Sequence, residues 1–243
     1  MFLPTVTSVA SLSDLEIRDL VMLREGPDCV LPCWNGLTPG KSNTNDIPAF
    51  FARLGVDATT LEVYESRNPG ESEPSRFVGT GPPPGGVAFQ LGLVSIDVGW
   101  DPSDGKSQQI WLDYVDAPPG FDARSLLAKL GTPDKVLISW VGGEVGPVYQ
   151  VVLTFPAKGT GIRMDAFPLD PSRLCLTSEE LNAPPVDGPL VILLEAGADP
   201  LPVIESVTFQ PEQLEDSRAY TGLSQQEFID ALSTGDGCVP LER

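Results

Sequence analysis

Two groups of residues in this chain have types and spacing that could do chemistry: a Gly-Lys-Ser run at 36–42 and four cysteines. The first resembles a phosphate-cradling loop, which needs Gly, four residues, then Gly-Lys-Ser/Thr so that backbone N–H groups wrap the phosphates. Here Gly36 and Gly40 are three residues apart, and Asn35 stands where the first glycine belongs. Pro39 removes a backbone donor where donors are needed. The run is therefore expected to be a Thr-Pro-Gly turn, with Pro39 setting φ and Gly40 in the positive-φ position of a type II turn.

The cysteines are Cys29, Cys33, Cys175 and Cys238, and four allow three pairings. The preferred one is Cys29–Cys33 with Cys175–Cys238, the second closing a loop of about 60 residues and contributing roughly 4 kcal/mol in the chain-entropy model. A four-cysteine zinc site wants two close pairs, and Cys175 and Cys238 each stand alone. A redox Cys-x-x-Cys is absent, because three residues separate the near pair. No metal and no cofactor is expected.

The 243-residue chain contains no histidine. That removes the commonest general base, the Ser-His and Cys-His nucleophile pairs, and histidine metal sites. Carboxylate-only mechanisms stay open, yet no spacing marks a carboxylate pair. With 15 basic against 34 acidic residues the net charge is −19, which repels phosphate backbones and anionic headgroups. Nucleic-acid binding and electrostatic membrane docking are excluded on that ground. No apolar run approaches the roughly 20 residues of a membrane span. The even cysteine count, scarce lysine and loop-rich composition favour an extracytoplasmic setting, either secreted or in the cell envelope. The start, Met1-Phe-Leu-Pro4, lacks the basic and apolar regions of a signal peptide, so no targeting segment is visible in this chain.

The elements that must position these groups follow from caps, breakers and periodicity. Ser13-Asp-Leu-Glu16 opens an amphipathic helix ended by Gly26-Pro27. A second helix is expected over 46–54, and a third over 122–130 with Leu126, Leu127 and Leu130 facing the core. Strands are expected at 60–65, 87–91, 93–100, 108–115, 135–141, 148–155, 161–167, 189–196 and 203–210. Residues 66–85, rich in Pro, Gly, Ser and Glu, read as a flexible surface loop. The Asp-rich stretch 101–105 lacks calcium-loop spacing and reads as a hairpin turn. Thr177-Ser-Glu-Glu180 caps a short helix, and Ser224-Gln-Gln-Glu227 is a capping box opening the last one.

The segments Phe50-Phe-Ala-Arg-Leu-Gly55 and Leu126-Leu-Ala-Lys-Leu-Gly131 align, each a short helix ending at Gly and feeding a strand and a meander. The chain thus reads as α+β: two repeated units of a short helix packed on a small antiparallel sheet, stapled by disulfides. Residues 1–28 form a tail and helix. Residues 29–117 form the first repeat, carrying the Pro/Gly-rich loop at 66–86, and 118–243 the second repeat with the C-terminal helix.

This helix-then-meander unit, with Leu130-Gly-Thr-Pro-Asp134 at the helix end, resembles the BamE/SmpA-like repeat of bacterial envelope lipoproteins. The Cys29–Gly40 segment, both repeated helices and Phe155-Pro-Ala-Lys-Gly159 look like a family of uncharacterised exported bacterial proteins over roughly residues 29–238. The resemblance implies helices on one face of a small antiparallel sheet and no established activity. This chain departs from the lipoprotein pattern in having no N-terminal lipobox cysteine.

The expected function is a non-catalytic extracytoplasmic interaction or structural module with a protein partner in the cell envelope. Trp34, Trp100 and Trp111, with Trp140, are its candidate binding anchors, though tryptophans in a domain this size usually lie in the core. The alternatives are a carboxylate-based hydrolase acting on glycans and an accessory subunit of an envelope complex.

Overall fold

The computed structural model describes residues 29–43, 46, 50, 62–65, 75–77, 86–91, 94–100, 106–143, 146–183, 188–206, 208 and 210–242. The helix expected near residues 13–25 and the turn at 101–105 lie outside them, as do 47–49 and 51–54 of the second helix, of which Asp46 and Phe50 are helical. The chain is mixed helix and strand, with mostly antiparallel sheet and two disulfides. It divides into two compact units, residues 1–112 with 193–196 and residues 113–192 with 197–243.

The first unit carries β1 (Glu62–Glu65), β2 (Ser75–Phe77), β3 (Gly86–Leu91), β4 (Val94–Trp100) and most of β5 (Ser107–Tyr114) in the order β2-β1-β3-β4-β5. Alternation along β4 sends Val94, Ile96, Val98 and Trp100 inward, and Ile110 and Leu112 do the same on β5. Trp34, Leu37 and Phe50 complete this core. The segment expected to be an uninterrupted loop at 66–85 contains β2, which pairs antiparallel with β1 through Val63 and Phe77. Strand pairing there gives backbone groups partners that composition alone does not reveal.

The second unit opens with α1 (Ala123–Leu130), whose N-cap Asp122 accepts from Ser125 N and whose Ala123, Leu126, Leu127 and Leu130 are buried. Gly131 ends it at φ 83°, a conformation that only glycine adopts without strain. There follow β6 (Lys135–Gly143), β7 (Gly146–Phe155), β8 (Thr160–Ala166), β9 (Arg173–Cys175) and β10 (Leu190–Leu194). Then come α2 (Leu201–Glu205), β11 (Glu215–Asp216), α3 (Arg218–Thr221), α4 (Gln225–Thr234) and β12 (Cys238–Pro240). The larger sheet of this unit runs β11-β6-β7-β8-β10, and β12 pairs with β9 in a two-stranded ribbon.

One expected strand is a helix. Residues 203–210 are rich in β-branched and aromatic residues, but the chain turns helical at Leu201–Glu205 instead. Pro202 sits in its first turn, Asp199 Oδ1 accepts from Leu201 N at 3.0 Å, and Ile204 packs over Gly161, where a side chain would collide with it. Local capping and one buried contact outweigh β propensity.

The last helix is held by the expected capping box: Ser224 Oγ accepts from Glu227 N, and the Glu227 carboxylate accepts from Ser224 N at 2.8 Å. The Ser224→Ala variant is expected to lose about 1 kcal/mol in a urea titration, the usual worth of an N-cap. A loss below about 0.3 kcal/mol would mean that packing of Phe228 and Leu232 alone holds α4.

Candidate functional site

The segment from Cys29 to Ser42 is the best-defined candidate, and it is built from local turns. Cys33 N donates to Val30 O at 2.9 Å, closing the turn that the Cys29–Cys33 disulfide spans. Trp34 and Leu37 then exchange backbone hydrogen bonds of 2.7 and 2.9 Å around Asn35 and Gly36, both at positive φ. Asn-Gly with two positive φ angles is the favoured two-residue hairpin turn, a signal present in the sequence beside the expected Thr-Pro-Gly turn. The turn aims Gly36 N at Cys29 Sγ, 3.4 Å away.

The Thr-Pro-Gly turn follows, with Gly40 at φ 79° and Lys41 N donating to Thr38 O at 3.0 Å. The amide of Gly40 donates to Ser107 O (2.6 Å) and that of Ser42 to Thr38 O (2.9 Å), while Ser107 N donates to Ser42 O (2.7 Å). The backbone N–H groups of Gly36, Leu37, Thr38, Gly40, Lys41 and Ser42 are all engaged within the protein. The run clamps the chain onto the start of β5.

The tryptophans divide differently from the expected binding surface. Trp34 and Trp100 are 1% and 5% exposed, and Trp34 packs its ring 5.3 Å from Phe50. Neither presents a ring face to a partner, because both serve as core of the first unit. Trp111 is half-buried, and its Nε1 lies inside the protein without an acceptor. Trp140, on β6, is 42% exposed.

A second constellation was not legible beforehand. Ser139, Gln150 and Asp165 lie in register across β6, β7 and β8, and all three are buried. Gln150 Nε2 donates to the two Asp165 oxygens at 3.1 and 3.3 Å, and Arg163 Nε lies 3.2 Å from Asp165 Oδ1. The Arg163 and Asp165 side chains are only 9% and 4% exposed. A carboxylate so enclosed is tolerable because a guanidinium and an amide compensate it. The row fixes the register of three strands. The period-two spacing of Arg163 and Asp165 is its only signal in the sequence.

Glu180 organises the neighbourhood of the second disulfide. Its carboxylate accepts from Cys175 N at 2.8 Å and from Leu169 N at 3.3 Å. Cys175 stands opposite Cys238 in the β9–β12 pair and is bonded to it, so all four cysteines are in disulfides and the zinc alternative lapses. Burial pushes the Glu180 carboxyl above its ordinary value, outweighing the backbone N–H groups that oppose this. The folded state thus binds its proton more tightly than the unfolded chain does. As pH rises from the ordinary carboxylate value through the raised one, this residue subtracts from stability. Urea midpoints across that window should fall less steeply in Glu180→Gln than in the parent. Parallel pH profiles would count against this.

Among the described residues no helix is long and apolar enough to cross a membrane, and no three His, Cys, Asp or Glu side chains converge as a metal site. Compared with protein-family models, curated proteins and solved structures, the chain matches none.

Proposed function

We propose that this chain is an extracytoplasmic interaction or structural module, working by binding rather than turnover, and built from two repeats of a short helix on an antiparallel sheet. The observation that carries the compartment is the pairing of all four cysteines in two disulfides, compatible with an oxidising environment. The repeat is supported by strand order within each unit. After a helical segment, β1, β3, β4 and β5 succeed one another in the first, and β6, β7, β8 and β10 in the second. Each unit also adds a short outermost strand, β2 or β11. This arrangement is what the BamE/SmpA-like resemblance implies.

The contact role rests on Trp140. A large ring left 42% exposed on β6 costs little in the free protein and offers a desolvating anchor to a protein partner. The Trp140→Ala variant should stay within about 0.5 kcal/mol of parental stability while losing partner capture after crosslinking in intact cells. Capture equal to the parent's would remove Trp140 from the interface. The compartment is tested by isolating the protein from its native source under alkylation: intact mass should report two disulfides, and four alkylated cysteines would overturn the reading.

A further inference from the structure

The two disulfides sit in opposite surroundings. Cys175–Cys238 bridges directly opposed residues of the β9–β12 ribbon, flanked by Leu176 N donating to Gly237 O (3.0 Å) and Leu241 N donating to Ser172 O (2.8 Å). Opening it leaves the two sulfurs held face to face. Cys29–Cys33 spans four residues within a turn. Cys33 is 6% exposed, whereas Cys29 is half-buried and the next residue, Val30, is 62% exposed. The more exposed of the two residues, Cys29, is also the one whose sulfur receives an N–H, from Gly36 in the Asn-Gly turn. A backbone donor aimed at a sulfur stabilises its thiolate, which favours Cys29 as the leaving group when a mixed disulfide on it is resolved, while the first attack goes to Cys29 because Cys33 is buried.

We infer that Cys29–Cys33 is a thiol–disulfide exchange site, with Cys29 the sulfur that bonds to a partner and Cys33 the buried sulfur that leaves on attack, and that the partner is a dithiol-bearing protein segment. The inference rests on the oxidising-compartment reading above.

The step balances as follows. A partner thiolate attacks Cys29 Sγ, the Cys29–Cys33 bond breaks, and its electron pair leaves on Cys33 Sγ, which takes up a proton. The partner is now joined to Cys29 by a mixed disulfide. The partner's second thiolate attacks the partner's own sulfur in that bond, and the pair leaves on Cys29 Sγ, facing the Gly36 N–H, before protonation. The partner dithiol has lost two electrons and two protons to become a disulfide, and Cys29 and Cys33 have gained them. Exposed Val30 supplies an apolar contact beside the attacked sulfur.

The test uses the full disulfide-bonded chain, equilibrated in glutathione buffers from oxidised to reduced, quenched with acid, alkylated and read by peptide mass. Cys29–Cys33 should open in buffers that leave Cys175–Cys238 closed. Opening of both together, or of Cys175–Cys238 first, overturns the assignment. Iodoacetamide rates in Cys33→Ser and Cys29→Ser then separate the roles. Cys29 should react about tenfold faster than Cys33 at neutral pH, with a titration midpoint below the ~8.5 of a free cysteine. Equal rates, or a faster Cys33, overturn the role assignment. If either variant fails to fold, the parental titration still decides. Free thiols at Cys175 and Cys238 in protein taken from its native source would instead overturn the compartment reading, because exchange opens only Cys29–Cys33. A closed pair that resists glutathione overturns the exchange site alone.

Discussion

Replacing Asp165 by alanine is expected to cost about 3–5 kcal/mol, the usual cost of removing one partner of a buried ion pair. Arg163 would then keep its charge in a nearly water-free position on β8, with Nε robbed of the carboxylate 3.2 Å away. Gln150 Nε2 would lose both of its acceptors on Asp165. Urea unfolding reads the loss directly. The decisive comparison is the double replacement Arg163→Leu with Asp165→Asn, which removes both charges together, keeps comparable volume and leaves Gln150 Nε2 an oxygen to donate to. It should be markedly less damaging than Asp165→Ala, because it leaves no unpaired charge buried. A double-mutant cycle should return a coupling of roughly 0.5–3 kcal/mol for contacting residues. An Asp165→Ala loss below about 1 kcal/mol would mean that water or the remaining neighbours compensate the Arg163 guanidinium.

The second large effect separates the disulfides. Opening Cys175–Cys238 by a double serine replacement should cost about 4 kcal/mol, since the bond closes a loop of sequence separation 63. The same treatment of Cys29–Cys33, separation 4, should cost about half as much, because a short loop withholds little entropy from the unfolded chain. The C-terminal strand would also lose its covalent anchor, leaving its noncovalent ties, among them the Val239–Leu174 ladder, the bonds from Leu176 N to Gly237 O and Leu241 N to Ser172 O, and the exposed Arg173–Asp236 pair. Guanidinium midpoints of the two double variants measure this. Equal midpoints would show that native strain or residual unfolded structure cancels the loop-length term.

Much of the larger sheet strands and the helices around them could be read from the residues. Asp122, Gly131 and the Leu126–Leu127–Leu130 stripe define α1 because caps and 3.6-residue spacing are local properties. Ser224 and Glu227 do the same for α4. The Thr38–Lys41 turn was legible because proline and glycine restrict φ wherever they stand. β12 was not anticipated, since three residues carry no period, and only the facing Cys175 and Leu174 make them a strand.

The composition by itself determined the absence of histidine chemistry and an acidic charge balance, and the chain's turns and caps determined where its helices begin. Tertiary structure decided what the strands meet. On β8 every residue from Thr160 to Ala166 is buried, so the alternation of Arg163 and Asp165 with Ile162 and Met164 marks two enclosed faces rather than one wet and one dry. Alternation in a sequence records a difference in polarity between faces; whether the polar face is covered depends on distant chain. Tertiary structure also buried Trp34 and Trp100 and left Trp140 exposed, three identical side chains whose fates local sequence does not distinguish, because burial is set by which other elements pack over them.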